Sequence, residues 1–124
     1  MTVKTLTGAD FESTIRANPI VFVDFWAPWC GPCRAFAPTF ERSAQNHPDI
    51  VHAKVNPEAE RALAAAVGIR SIPTIMAFRE GTLIYSQPGA MSPAVLGNLI
   101  GQIEGLNMEA VRAKIAERKA AVKA

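Results

Sequence analysis

Cysteine is scarce in this chain: Cys30 and Cys33 are the only two among 124 residues. No web of cross-links can therefore hold the fold, and a hydrophobic core must do so. Long apolar runs are missing as well. No stretch of about 18 uninterrupted apolar residues occurs, so no membrane span is expected. The opening residues, MTVKTLTGADF, lack the apolar block of a signal peptide, and the expected location is the cytosol. In that reducing setting a cysteine pair more often serves catalysis or metal binding than stapling. An excess of one charge is absent too, with 13 Lys and Arg against 11 Asp and Glu, a net +2. Nucleic-acid binding calls for a clustered basic face or a far more basic balance, so that class is set aside. No internal repeat or low-complexity tract divides the chain.

What the chain does have is apolar material: 49% hydrophobic against 19% charged residues. That suffices for the core of one domain. Val3–Leu6 reads as a short strand. Thr7-Gly8-Ala9-Asp10 resembles a capping box opening a helix to about Arg16, and Asn18-Pro19 ends it. Residues 20–26, IVFVDFW, are apolar except at Asp24. They read as a strand buried on both faces, hence central and parallel to a neighbour. Helical periodicity follows from Gly31 to about Asn46, with a kink expected at Pro38. Residues 50–55 form another strand, and Glu58–Ala66 an alanine-rich helix closed by Gly68. Thr74–Phe78 and Leu83–Tyr85 pair as a hairpin through Arg79-Glu80-Gly81. Ser92-Pro93 caps a helix with Leu96, Leu99, Ile100 and Ile103 on one face. Gly105-Leu106-Asn107 stops it and caps a last helix. Met108, Val111, Ile115 and Val122 line one side of that helix, while Arg112, Lys114, Arg118, Lys119 and Lys123 bias the remainder positive. The order βαβαβ, a helix, ββα, with right-handed crossovers, predicts an α/β fold: a mixed sheet of about five strands with helices on both faces.

Three chemistries compete for the cysteine pair. Cys30-x2-Cys33, thirteen residues, then His47-x4-His52 matches zinc-finger spacing. Such a finger needs its histidines on one helical face. Pro48 and Asp49 break any helix between them, and His52 falls in a strand. No metal is expected, and both histidines read as partly exposed surface residues. A structural disulfide closing so short a loop would contribute only roughly 2 kcal/mol. The third chemistry is thiol–disulfide exchange. Gly31 and Pro32 turn the chain from strand into helix, so Cys30 stands at the helix's first turn. Unpaired backbone N–H groups and the helix dipole favour a thiolate there. Cys33 lies one turn further in, on the same face and more buried, placed to attack a mixed disulfide formed at Cys30. Exchange of this kind needs no cofactor. Asp24 is a carboxyl inside an apolar strand, and burial should raise its pKa. It reads either as a proton acceptor for Cys33 or as a structural partner of Lys54. Lys54 by itself reads as a surface residue on a strand. Trp26 reads as core, whereas Trp29, in a turn, reads as partly exposed.

These residues resemble the thioredoxin family. The resemblance rests on VDFWAPWCGPCR at 23–34, Pro38, AKVN at 53–56, GIRSIPT at 68–74 and PGA at 88–90, and covers about residues 3–104. It implies the thioredoxin fold and a protein-disulfide reductase. It makes Cys30 the nucleophile, Cys33 the resolving thiol, Asp24 the buried acid and Lys54 its partner. It places substrate contacts at Trp29, Gly31, Pro32, Ile72, Pro73, Gly89 and Ala90, with the Ile72–Pro73 bond cis. The partners implied are protein disulfides and a thioredoxin reductase, whose flavin and NADPH act on that partner, not in this chain. No cofactor, nucleic acid or membrane is implied.

Three departures qualify the match. Pro57-Glu58 follows the Lys54 strand where a β-branched residue and an acid are usual. Ser43, Ala44 and Gln45 stand where a bulkier aliphatic residue is expected, which predicts loose packing in the outer half of that helix. Residues 106–124 extend beyond the family's usual end, dividing the chain into a thioredoxin-like domain, 1–105, and a C-terminal helical extension. The extension reads as docked on the preceding helix at Gly97 and Gly101, as a protein-binding helix, or as frayed surface. Two other functions compete: a non-catalytic interaction module in which the thiols are incidental, and an oxidase or isomerase running the same chemistry in the other direction.

Overall fold

The computed structural model describes residues 3–123. Residues 1, 2 and 124, at the outer ends of the two expected segments, lie outside the described residues. The elements are β1 (Val3–Thr5), α1 (Phe11–Ala17), β2 (Ile20–Phe25), α2 (Gly31–Asn46), β3 (Val51–Val55), α3 (Arg61–Val67), β4 (Thr74–Arg79), β5 (Thr82–Pro88), α4 (Pro93–Glu104) and α5 (Met108–Lys123). The strands form one sheet in the order β1-β3-β2-β4-β5. β3 runs parallel to β1 and β2, while β4 is antiparallel to β2 and β5. The mixed five-stranded sheet expected from the sequence is therefore present, with β2 at its centre and buried throughout.

Strand alternation sorts the core into two layers. Ile20 and Phe22 of β2 face Phe36, Phe40 and Ala44 of α2 and Leu96 and Ile100 of α4. Val21, Val23 and Phe25 face the other way, toward Phe11 and Ile15 of α1 and Leu63 and Val67 of α3. Phe11 packs its ring 5.9 Å from Phe78 and 6.3 Å from Phe25. Burying each such side chain contributes about 1.5–3 kcal/mol. Phe22 and Asp24 share the α2 side with their β3 partners, His52 and Lys54.

Local chemistry explains the element ends. The amide of Thr7 donates to Asp10 Oδ1 at 2.7 Å, but this closes the turn ahead of α1 and not the expected capping box, since the helix starts at Phe11 and its N-cap, Asp10, makes no side-chain cap bond. The hairpin turns on Glu80 and Gly81, both with positive φ, the two-residue geometry that matches strand twist. Ser92 caps α4 through the amide of Val95, and Asn107 caps α5 through the amide of Ala110. The structure corrects the start of α3, expected at Glu58. Asn56 instead holds residues 57–60 in a turn, accepting from the Glu58 amide with its side chain and from the Ala59 and Glu60 amides with its carbonyl. The helix is thereby delayed to Arg61.

Two further expectations are corrected. His52 is only 1% exposed, not a surface residue. Its Nδ1 lies 3.1 Å from the Ile50 carbonyl and its Nε2 2.9 Å from Ser43 Oγ. A carbonyl oxygen only accepts, so Nδ1 carries the proton and Nε2 accepts from the serine hydroxyl. Ser43 thus replaces an aliphatic contact with a hydrogen bond, while a hollow of about 200 Å³ opens beside it between α2 and α4. The second correction concerns α5. No atom outside their own helix lies within 4 Å of where Cβ atoms at Gly97 and Gly101 would sit, so those glycines do not seat the last helix. Arg79 Nη1 instead donates to the carbonyls of Ile103, Glu104 and Leu106 at 2.8, 3.2 and 2.6 Å. Arg112 Nη1 reaches Glu80 Oε1 at 3.0 Å. Met108 is buried and Val111 and Ile115 are half-buried, but Val122 is 88% exposed. The apolar stripe is covered only at its start.

Candidate active site

The cysteines owe their position to the end of β2. The Trp26 amide donates to the Val55 carbonyl at 3.0 Å, and the Cys30 amide to Ala27 at 3.1 Å. Residues 27–30 form a tight turn, and α2 starts at Gly31 with Pro32 in its first turn, where the missing N–H leaves no donor unpaired. Cys30 is the N-cap residue. Its Sγ accepts from the Cys33 amide at 3.2 Å, as a serine or aspartate oxygen does in other helices. The sulfurs of Cys30 and Cys33 are bonded to each other, with Cα atoms 5.2 Å apart. Both residues are buried, in a small cluster with Ala27 against which Trp26 and Ile72 pack.

A groove of about 540 Å³ opens over this end of the sheet. Cys30 lines it; Cys33 does not. Trp29, Gly31 and Pro32 form one wall, and Pro57, Glu58 and Ile69–Ile72 the other. Trp29 is 64% exposed, and its indole N–H donates to Glu58 Oε1 at 2.8 Å. The Pro57-Glu58 departure therefore still delivers a carboxylate to the tryptophan. The Ile72–Pro73 peptide is cis. Pro73 is buried, and its carbonyl accepts from the Gly89 amide at 2.8 Å. Gly89 has φ near +105°, and Ala90 follows it on the exposed surface. Neither residue lines the groove; Gly89 joins the site through its bond to Pro73.

Asp24 sits on the α2 side of β2, two residues before Trp26. It is 4% exposed, and its Oδ1 is the one buried side-chain polar atom without a hydrogen-bond partner among the described residues. Burial pushes its pKa up to about 7, partly opposed by the charge of Lys54. Lys54 stands opposite Asp24 in the sheet register and is half-buried, not the free surface residue it reads as alone. The two make no direct ion pair. Lys54 Nζ instead lies 4.7 Å from the centroid of the Trp26 ring, a cation–π contact. Trp26, expected in the core, is half-buried between that ammonium and the cysteines.

The structure thus brings Cys30, Trp29, Gly31, Pro32 and Ile72 to one groove, with Asp24 and Lys54 on the strands behind it. The sequence reading missed Trp26 as a bridge between Lys54 and the disulfide, and missed Ile69, Arg70 and Ser71 as groove wall. Those three lie inside the GIRSIPT block, so the motif itself held the signal.

Comparisons with known proteins agree with this fold. The family model described as Thioredoxin matches residues 2–102. A putative thioredoxin 2 of Streptomyces coelicolor is 47% identical over 115 residues, covering 93% of this chain and 86% of its own. Thioredoxin 1 of Synechococcus elongatus is 42% identical over 97 residues, 77% of this chain and 91% of that one. Among solved structures, a mutant thioredoxin from Halobacterium salinarum superposes with a TM-score of 0.79 at 30% identity, covering 85% of this chain and 93% of that one.

Proposed function

The chain belongs to the thioredoxin family and is a dithiol–disulfide oxidoreductase, and from that premise we propose that Cys30 attacks protein disulfides and Cys33 resolves the product. The observation that carries this reading is the hydrogen bond from the Cys33 amide to Cys30 Sγ at the start of α2. In the reduced protein the same amide and the helix dipole favour the thiolate form of Cys30.

The Cys30 thiolate attacks one sulfur of the substrate disulfide. A Cys30–substrate mixed disulfide forms and the other substrate sulfur leaves as a thiolate. Asp24, with its pKa near neutrality, takes the proton of the Cys33 thiol. The Cys33 thiolate then attacks Cys30 Sγ, the second substrate thiolate leaves, and the Cys30–Cys33 disulfide forms. Two electrons have passed to the substrate, and Lys54 steadies the Asp24 carboxylate through space. Trp29, Gly31 and Pro32 guide the substrate segment. The Ile72 backbone pairs with it in extended form, Pro73 fixes that backbone, and Gly89 and Ala90 let the chain pass. A thioredoxin reductase restores the dithiol. A cytosolic, reducing setting suits this direction of flow.

Trapping tests the order of attack. Cys33→Ser should accumulate a mixed disulfide with a protein substrate, and Cys30→Ser should abolish insulin reduction. Failure of Cys33→Ser to trap any substrate would overturn the assignment. Retention of insulin reduction by Cys30→Ser would favour a non-catalytic role for the pair. The potential of the couple against glutathione separates a reductase from an oxidase or isomerase.

A further inference from the structure

Charge divides the chain unevenly. Residues 108–124 hold five cations and two carboxylates, a net +3, so the preceding 107 residues carry a net −1. One cation, Arg112, is neutralised by Glu80. Lys114 and Arg118 have no ion-pair partner among the described residues. They rim a groove of about 270 Å³ between α5 and β5, floored by Leu83, Ile84, Val111 and Ile115. Leu83 is 47% exposed, and β5 is an edge strand of the sheet.

We infer that this groove is a docking site for a partner protein's segment bearing apolar side chains flanked by carboxylates. The apolar floor takes the side chains, and Lys114 and Arg118 meet the acids. The groove lies at the hairpin end of β5. Gly89, just past its other end, is tied to Pro73 at the redox site. Gly89 lies five residues beyond Ile84, a span of roughly 17 Å at about 3.3 Å per residue. A partner held there leaves the Cys30 groove open, and tethering raises the effective concentration of its disulfide. A basic helix can also bind an anionic membrane. Here Val111 and Ile115 are turned toward β5 to floor a concave groove, so the helix cannot lay that apolar face into a bilayer.

The test uses the full chain, isotopically labelled, titrated with a synthetic helical peptide carrying leucines on one face and glutamates on the other. Amide shifts should map to residues 82–84 and 106–118, leaving 30–33 unmoved. The same peptide with lysines for glutamates should not bind. Lys114→Glu with Arg118→Glu should weaken binding at least tenfold without changing insulin reduction. Absence of glutamate-peptide binding, shifts centred on Trp29, or equal affinity in the double variant would overturn the inference. So would binding only to phosphatidylserine vesicles, or a dimer that covers the groove.

Discussion

Asp24 and His52 are both ionisable, both buried, and both project from neighbouring strands toward α2. Their surroundings differ. Each ring nitrogen of His52 has a polar neighbour, and its ring stacks on Phe22 at 5.9 Å and meets Phe40 edge-on at 5.0 Å. Asp24 Oδ1 has no hydrogen-bond partner. The histidine lies beneath the second half of α2, where Ser43 reaches it. The aspartate lies toward the first turn of the same helix, where the cysteines sit. A satisfied buried polar group specifies packing. An unsatisfied one costs stability and persists where its proton is useful.

The two groups also oppose each other in acid. Burial depresses the pKa of His52. The unfolded chain therefore binds a proton below about pH 6.5 that the fold refuses, and this contribution to stability falls as pH drops. Burial raises the pKa of Asp24 from 3.8 to about 7. The native state holds that proton more tightly, so its contribution falls as pH rises through this window and the full deficit stands above it.

Removing the Asp24 charge should break the contrast most sharply. Asp24→Asn is expected to raise unfolding stability at pH 8 by about 2–4 kcal/mol, since each pKa unit is worth about 1.4 kcal/mol and the buried amide still lacks a full set of partners. Resolution of the mixed disulfide at pH 7 should slow at least roughly tenfold. Urea titration and stopped-flow insulin reduction check the two effects, and a variant no more stable than its parent would mean that the carboxylate is already satisfied.

Ser43→Ala should do the opposite, costing about 1–3 kcal/mol at pH 7 because His52 Nε2 loses its donor. Disulfide reduction should stay within about twofold, as expected of a group that touches no reacting atom. Adding His52→Leu should recover part of the loss, because Nε2 and its serine donor then disappear together while the Ile50 carbonyl still loses the Nδ1 proton. Persistence of the acid-side decline in that double variant would assign it to another group. The smallest effect is expected at Glu58→Ala. An exposed hydrogen bond to Trp29 is worth about 1 kcal/mol or less, so kcat/KM for protein disulfides should fall only a few-fold with Tm unchanged. An unaltered kcat/KM would remove Glu58 from substrate binding.

Element order, the central position of β2 and the two thiols at the start of α2 were all readable from the chain. Apolar periodicity and helix-capping chemistry act over a few residues, and they hold wherever those residues lie in space. His52 shows where such reading stops. A histidine in a strand looks exposed until Ser43, nine residues earlier, supplies the hydroxyl that satisfies it. The departures at Ser43 and Pro57-Glu58 looked like defects for the same reason, since each acts on a residue distant in sequence. Val122 made the converse error possible: it keeps the helical spacing of a buried stripe where no surface remains to cover it.

Sequence alone determined the sheet order's local ingredients, the identity of the reactive pair and the burial of Asp24, because each depends on neighbours within a turn or a strand. Tertiary structure decided that Lys54 rests on Trp26 instead of pairing with Asp24, that Glu58 holds Trp29, and that α5 meets the hairpin instead of seating at Gly97 and Gly101 of α4. Those choices depend on which long side chains converge once the sheet has closed, and no periodicity along the chain encodes that convergence.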